Sequence, residues 1–106
     1  MLAARATFQE EYWQATPPPV QRHFRTSLAY RMCLVAQGRF DGMLTLRDTW
    51  EWDVAAGSLI AERAGATVSD RNGAAPVFNN PRPMLSGIIA AGKTVHQGLQ
   101  SQLAPR

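Results

Sequence analysis

The stretch from Glu51 to Gly65, Glu-Trp-Asp-Val-Ala-Ala-Gly-Ser-Leu-Ile-Ala-Glu-Arg-Ala-Gly, restricts the fold of this chain more than any other. It carries helix signals at both ends. Asp53 is of a favoured N-cap type, since its carboxylate can accept from the free N–H groups of a first turn, and Gly65 supplies a left-handed stop. On that reading Ala56, Gly57, Ile60 and Ala64 share one face, small near its start. A glycine inside a helix costs about 1 kcal/mol relative to alanine, so Gly57 predicts a close neighbour. The Asp53 carboxylate has two uses open to it. It can cap its own helix, or turn an oxygen outward to hold a hard cation.

At 106 residues the chain suits one small domain, and 45% hydrophobic residues place it in the globular class. No apolar run approaches the roughly 18 residues of a membrane span, and the first residues lack the apolar core of a secretory signal. A cytoplasmic protein without membrane contact is expected. The single cysteine, Cys33, can form no internal disulfide and lies in an apolar helix, so it reads as a buried structural thiol. The net charge of +3 comes from ten arginines and one lysine against eight acids. The arginines are scattered and not interleaved with aromatics, which argues against nucleic-acid binding.

Residues 1–24 read as an extended N-terminal segment, stiffened at Pro17-Pro18-Pro19 after a possible short helix over Phe8 to Gln14. Glu10 and Glu11 read as solvated surface. Ser27 is a plausible N-cap for a helix running to Gln37, stopped by Gly38, with Leu28, Met32, Val35 and Ala36 as its buried stripe. Phe40 to Arg47 alternates as a strand, Leu44 and Leu46 on one side. Thr67–Ser69 and Val77–Phe78 flank Asp70-Arg71-Asn72-Gly73, which predicts a hairpin. Ile88 to Ala91 is a short buried strand bounded by glycines. Thr94 is the expected cap of a last helix to Leu103, before Pro105. Neither His23 nor His96 has a partner at metal spacing.

The longer pattern Trp52-Asp53-x-Ala55-Ala56-Gly57, followed by an apolar pair and the Ala64-Gly65 stop, resembles the C-terminal motif of the inositol monophosphatase superfamily. The resemblance runs from about Arg25 to Leu103. It includes Cys33 to Gly38, Arg39-Phe40-Asp41, Val68-Ser69-Asp70 and Ile88 to Gly92, in the family's order and spacing. It implies an α/β fold in which sheets and helices alternate in layers, with residues 25–106 as the C-terminal domain. It implies a magnesium-dependent, lithium-sensitive phosphomonoesterase in which Asp53 is a Mg2+ ligand near a small phosphorylated substrate. Family members carry a Gly-Ser or Gly-Thr run that touches substrate just before the first helix; Ser27 stands there, without the glycine. The 3'(2'),5'-bisphosphate nucleotidase branch has a lysine on the first turn of that helix, for which Arg31 is the nearest equivalent. Ser27, Arg31 and Arg47, the last in the loop that delivers Asp53, are therefore the candidate substrate-binding residues. Cap and surface roles stay open for Ser27 and Arg31.

Inositol monophosphatases typically place a glutamate in the strand about seven residues before the metal aspartate; here that position is Leu46. Asp48-Thr49-Trp50-Glu51-Trp52-Asp53 resembles instead the Pro-Thr-x-x-Trp-Asp spacing of the nucleotidase branch. The resemblance thus favours a nucleoside bisphosphate over inositol phosphate. The family's remaining carboxylates, a Glu-Glu pair and an Asp-Pro-x-Asp-Gly loop, come from an N-terminal half with no counterpart here. Asp41-Gly42 has Gly38 where the first aspartate would stand. The chain is accordingly expected to be a C-terminal fragment, inactive alone, its partners that missing half or a second copy in a homodimer. The alternatives are an inositol-1-monophosphatase, or a catalytically inactive assembly module.

Overall fold

The computed structural model describes residues 1–104. Its centre is a three-stranded antiparallel sheet in the order β1-β5-β3, formed by Gly42–Thr45, Ile88–Ala91 and Thr67–Ser69. All four residues of β1 and all four of β5 are buried, so the sheet is covered on both faces. The pleat sorts side chains between two cores. Met43, Val68, Ile88 and Ala90 face one; Leu44 and Ile89 face the other. The registers Met43↔Ala90↔Val68 and Leu44↔Ile89↔Ser69 produce that sorting. The expected strand over Phe40 to Arg47 is shorter, but its alternation holds.

The first core is closed by α1 (Leu28–Ala36) and α2 (Glu51–Arg63). Met32, Leu34 and Val35 are buried on α1, with Leu28 and Ala36 only half-buried. Gly57 has the close neighbour its position predicts: a Cβ there would lie 2.9 Å from Met32 Sδ. Two features of α2 differ from expectation. The helix begins at Glu51, with Trp50 at the cap and no side-chain cap bond, so Asp53 lies inside the first turn and does not cap the helix. The buried face comprises Val54, Gly57, Ser58 and Ala61, while Ala56, Ile60 and Ala64 are exposed.

Glu51 explains the earlier start. Its carboxylate accepts from the Asn79 N–H at 2.5 Å, the Asn80 N–H at 3.1 Å and Asn80 Nδ2 at 2.8 Å, and its own N–H donates to Pro83 O at 2.9 Å. The side chain thereby ties the helix start to the 79–83 loop. That loop leads into β4 (Met84–Leu85), which pairs with β2 (Thr49–Trp50) immediately before α2.

The second core is closed by α3 (Lys93–Gln102) and by the N-terminal segment. Leu2 lies along β1, donating to Gly42 O and accepting from Leu44 N. It is fully buried in the first core, while Met1, Ala3 and Trp13 fill the second. The segment expected as an extended lead-in thus supplies core residues, through two short 3-10 turns at Arg5–Phe8 and Glu10–Tyr12. Glu10 and Glu11 are exposed, as expected.

Three further expectations change. The turn at Asp70 forms, with Asp70 Oδ1 accepting from Asn72 N at 2.8 Å and Ala74 N at 3.0 Å. The hairpin does not, because β3 pairs with β5 and Val77–Phe78 form no strand. Gly92, not Thr94, caps α3, and the stop expected at Pro105 lies outside the described residues. Cys33 is half-buried rather than buried.

His96, buried on α3, meets β3: its Nε2 lies 2.7 Å from Ser69 Oγ, whose hydroxyl donates to Asp70 O at 2.8 Å. With the serine hydroxyl directed to Asp70 O, Ser69 Oγ is left as acceptor for His96 Nε2–H. Burial holds the His96 pKa below its ordinary 6.5. For Glu51, burial alone would raise the pKa, but the Asn80 side-chain bond and the Asn79 and Asn80 backbone bonds outweigh it and hold it below 4.5. Both shifts have the same consequence. The unfolded chain takes up protons at higher pH than the folded one, so stability is full above about pH 6.5, falls through the His96 window and falls again in the Glu51 window. Thermal midpoints measured from about pH 7.5 down to 4 should therefore decline. The decline between about pH 6.5 and 5 should flatten in His96→Gln, whose amide keeps the bond to Ser69 without titrating. An unchanged slope in that variant would remove His96 as its source.

Candidate active site

The close Gly57–Met32 contact brings the first turns of α1 and α2 near each other, and the loop after β1 runs alongside. The result is a cleft of about 330 Å³ whose lining includes Ser27, Arg31, Arg47, Trp52 and Asp53. All four residues named from the sequence as metal- or substrate-binding line this one cleft. A larger hollow of about 570 Å³, lined by Met1, His23, Phe40 and Asp41 among others, contains none of them.

Ser27 Oγ accepts from Tyr30 N at 3.3 Å, so the cap reading of Ser27 holds. The residue has φ 65° and ψ 116°, a conformation that glycine adopts freely and that costs other residues about 1–3 kcal/mol. The backbone at this cleft keeps a glycine-like path with a serine on it.

Arg31 is 6% exposed, not the surface arginine its position on the helix allowed. Its guanidinium stacks over the Phe24 ring at 5.3 Å, and its Nε is sealed from solvent with no hydrogen-bond partner. Burial, and secondarily the charge of Arg47, hold its pKa below the ordinary arginine value; an arginine still remains charged. Two guanidinium groups facing one cleft raise each other's energy. An anion between them relieves both terms.

Asp53 is exposed at the cleft, and its side chain forms no hydrogen bond or ion pair among the described residues. It is a hard oxygen donor available to a cation. Magnesium, however, needs near-octahedral oxygen ligands, commonly one or two carboxylates together with substrate phosphate and water. Among the described residues no group of three or more His, Cys, Asp or Glu side chains could hold a metal. Asp53 is thus a single carboxylate at the cleft, with no such group around it among the described residues. Trp52, 65% exposed, stacks on Trp50 at 4.6 Å and forms a flat wall beside Asp53. His96 and Ser69 lie on the opposite face of the sheet.

Residues 3–105 match the model of the inositol monophosphatase family. The chain belongs to that family. A SuhB protein of Neisseria meningitidis is 48% identical over 42 residues, which are 40% of this chain and 16% of the relative. The crystal structure of SuhB from Bartonella henselae superposes on 76% of this chain and 31% of its own, with TM-score 0.64 and 29% identity. CysQ from Bacteroides thetaiotaomicron, described as a bacterial member of the inositol monophosphatase family, covers 70% of this chain and 27% of its own, with TM-score 0.61 and 30% identity. The chain thus spans less than a third of the length of these relatives. The layered α/β fold expected from the resemblance is the one these structures share. Members of the inositol monophosphatase family are phosphatase-type hydrolases, generally metal-dependent, acting on small phosphorylated substrates.

The buried, aromatic-stacked state of Arg31 was not legible in the sequence. Phe24 precedes it by seven residues but lies before the helix, where helical spacing says nothing about contact.

Proposed function

We propose that this chain is the phosphate-binding part of a magnesium-dependent phosphomonoesterase acting on a 3'(2'),5'-nucleoside bisphosphate. The observation that carries the reading is the convergence of Asp53, Arg31, Arg47 and Ser27 on one cleft. In it, Asp53 supplies one carboxylate ligand, and the rest come from an N-terminal half. Magnesium held there would supply Lewis acidity and a water of lowered pKa. The chain's own residues do the positioning. Arg31 and Arg47 bind the anionic oxygens, the Ser27 hydroxyl retains a proton to donate to them, and the Trp52 ring shields one side from water. Arg31 needs no reorganisation to do this, because packing against Phe24 already fixes its guanidinium.

The nucleotide preference rests on Leu46, 2% exposed. It stands where inositol monophosphatases typically carry a hydroxyl-binding glutamate, and a sealed leucine offers no acceptor. The test is phosphate release by an enzyme in which this chain is joined to a relative's N-terminal half. Adenosine 3',5'-bisphosphate should exceed inositol 1-phosphate in kcat/KM by about tenfold or more, the worth of one hydrogen-bonded hydroxyl or charge contact. The reverse preference would restore the inositol-phosphatase reading. Robust release by the 106-residue chain alone would show that no second half is needed.

One observation favours a further role in assembly. Trp52, Leu59 and Ile60 are 65%, 56% and 45% exposed on α2, at i, i+7 and i+8, and a stripe of that kind is ordinarily covered. In this second reading the stripe packs against the N-terminal half or a second copy.

A further inference from the structure

The tight turn after β3 holds a reactive pair that the cleft does not use. Asn72 is followed by Gly73, and both are exposed. The amide carbon of an asparagine can be reached by the backbone nitrogen of the next residue when no side chain there obstructs the approach, and glycine offers no obstruction. The Asn72 side-chain amide forms no hydrogen bond among the described residues, because Asp70 holds the turn instead: its Oδ1 accepts from Asn72 N at 2.8 Å and from Ala74 N at 3.0 Å. Gly73 N is held only at the long end of hydrogen bonding, 3.2 Å from Asp70 O. An exposed turn of this kind opens locally without unfolding the domain. The other asparagines, Asn79 and Asn80, lack this freedom. Asn79 is followed by Asn80, whose N–H donates to Glu51 Oε2 at 3.1 Å, and Asn80 is followed by Pro81, which has no N–H to lose. The Asn80 amide is also engaged, donating to Glu51 Oε2 at 2.8 Å and to Val77 O at 2.6 Å.

We propose that Asn72 is a site of spontaneous modification, in which its side chain cyclises onto Gly73 and reopens as isoaspartate or aspartate. The Gly73 nitrogen gives its proton to solvent base and its lone pair bonds to Asn72 Cγ; the Cγ–Nδ2 bond breaks, and Nδ2 leaves as ammonia. Water then adds to either carbonyl of the cyclic imide and opens it, with no change of oxidation state. Opening at the main-chain carbonyl leaves isoaspartate, which routes the backbone through Cβ and so lengthens it between residues 72 and 73, and which sets a new carboxylate near Asp70. The core is placed to feel that change. Gly73 has φ +88° and packs against Gln100, since a Cβ there would lie 3.4 Å from Gln100 Cδ. Gln100 Nε2 in turn donates to Arg71 O at 3.0 Å. A longer backbone at residue 72 displaces this contact, and with it the hold of the turn on α3.

The test is to incubate the 106-residue chain at mildly alkaline pH, well below its melting temperature, and to follow intact mass, peptide maps and enzymatic methylation of isoaspartyl carboxylates over time. Asn72→Gln is aged alongside, since its side chain would have to close a larger ring and the exposed position has no side-chain contact to lose. Residue 72 should convert at least about tenfold faster than Asn79 or Asn80, the effect of a modest difference in barrier, with isoaspartate in the product. Asn72→Gln should stay unmodified at that position. No conversion at residue 72, equal rates at Asn79 or Asn80, or a mass gain at residue 72 without isoaspartate overturns the cyclisation. The converted parent should melt about 4 °C or more below fresh protein, a shift that a small loss of packing produces in a domain of this size, while aged Asn72→Gln keeps its midpoint. A fully converted chain with an unchanged midpoint overturns the coupling to α3.

Discussion

Replacing Asp53 by asparagine is expected to lower magnesium-dependent phosphate release in the joined enzyme by about a hundredfold or more, the loss of a few kcal/mol of transition-state stabilisation. The substitution keeps the size of the side chain and removes its charge. Asp53 has no partner among the described residues to lose, so folding gives little reason for a change. What remains of a structural role is the interaction of an acid with the positive end of α2, worth about 0.3–1 kcal/mol. The thermal midpoint should therefore fall by no more than a few degrees. Raising the magnesium concentration should recover part of the activity, because a missing ligand weakens metal binding rather than deleting the site. Full activity in Asp53→Asn would reduce the residue to a dipole partner of its helix. A large fall in midpoint with proportionate loss of activity would assign it to folding.

The second large effect is expected at Gly87, between β4 and β5. Its φ is +75°, and a Cβ there would lie 2.5 Å from Thr45 O and 3.2 Å from Leu46 Cα. Both obstacles are backbone and cannot swing aside like a side chain. Gly87→Ala combines the left-handed strain of an L-residue, about 1–2 kcal/mol, with overpacking of about 1–3 kcal/mol. The sum, about 3 kcal/mol, is a large part of the 5–15 kcal/mol that holds a typical domain together. Melting should occur some 10 °C or more lower, given about 4 °C or more per kcal/mol for a domain of this size. The backbone that would be pushed, at Thr45 and Leu46, leads directly into Arg47, so phosphate affinity should fall with stability. A midpoint within about 2 °C of the parent would mean that the close approach is relieved by a small shift.

Where a signal was local, the sequence carried it. The stops at Gly38 and Gly65, the Ser27 cap and the buried Ile88–Ala91 strand are each decided by a few neighbouring residues, and the structure shows all of them. The start of α2 was misplaced because two acids compete there. Asp53 has the better cap chemistry, but Glu51 is drawn into bonds with Asn79 and Asn80, nearly thirty residues away. The hairpin failed for a related reason. The Asp70 turn is local and formed, but the edge of β3 goes to the more apolar β5. Leu2 gave no sign that it would line β1, since a single residue has no period.

The candidate site divides in the same way. Resemblance named Ser27, Arg31, Arg47 and Asp53, and the fold places them around one cleft. The Phe24 ring stacked against Arg31 arrives from a segment without a periodic pattern. No motif could have announced it.

The contact between Gly57 and Met32 also sets a dimension. Because α2 has no side chain there, Met32 of α1 rests directly against its backbone, one residue along from Arg31. The neighbour is an unbranched thioether with several rotatable bonds, able to fill the space that the missing side chain leaves. The separation of the two helices that present Arg31 and Asp53 to the cleft is thus set by one missing side chain in the core, and any larger residue at position 57 would part them.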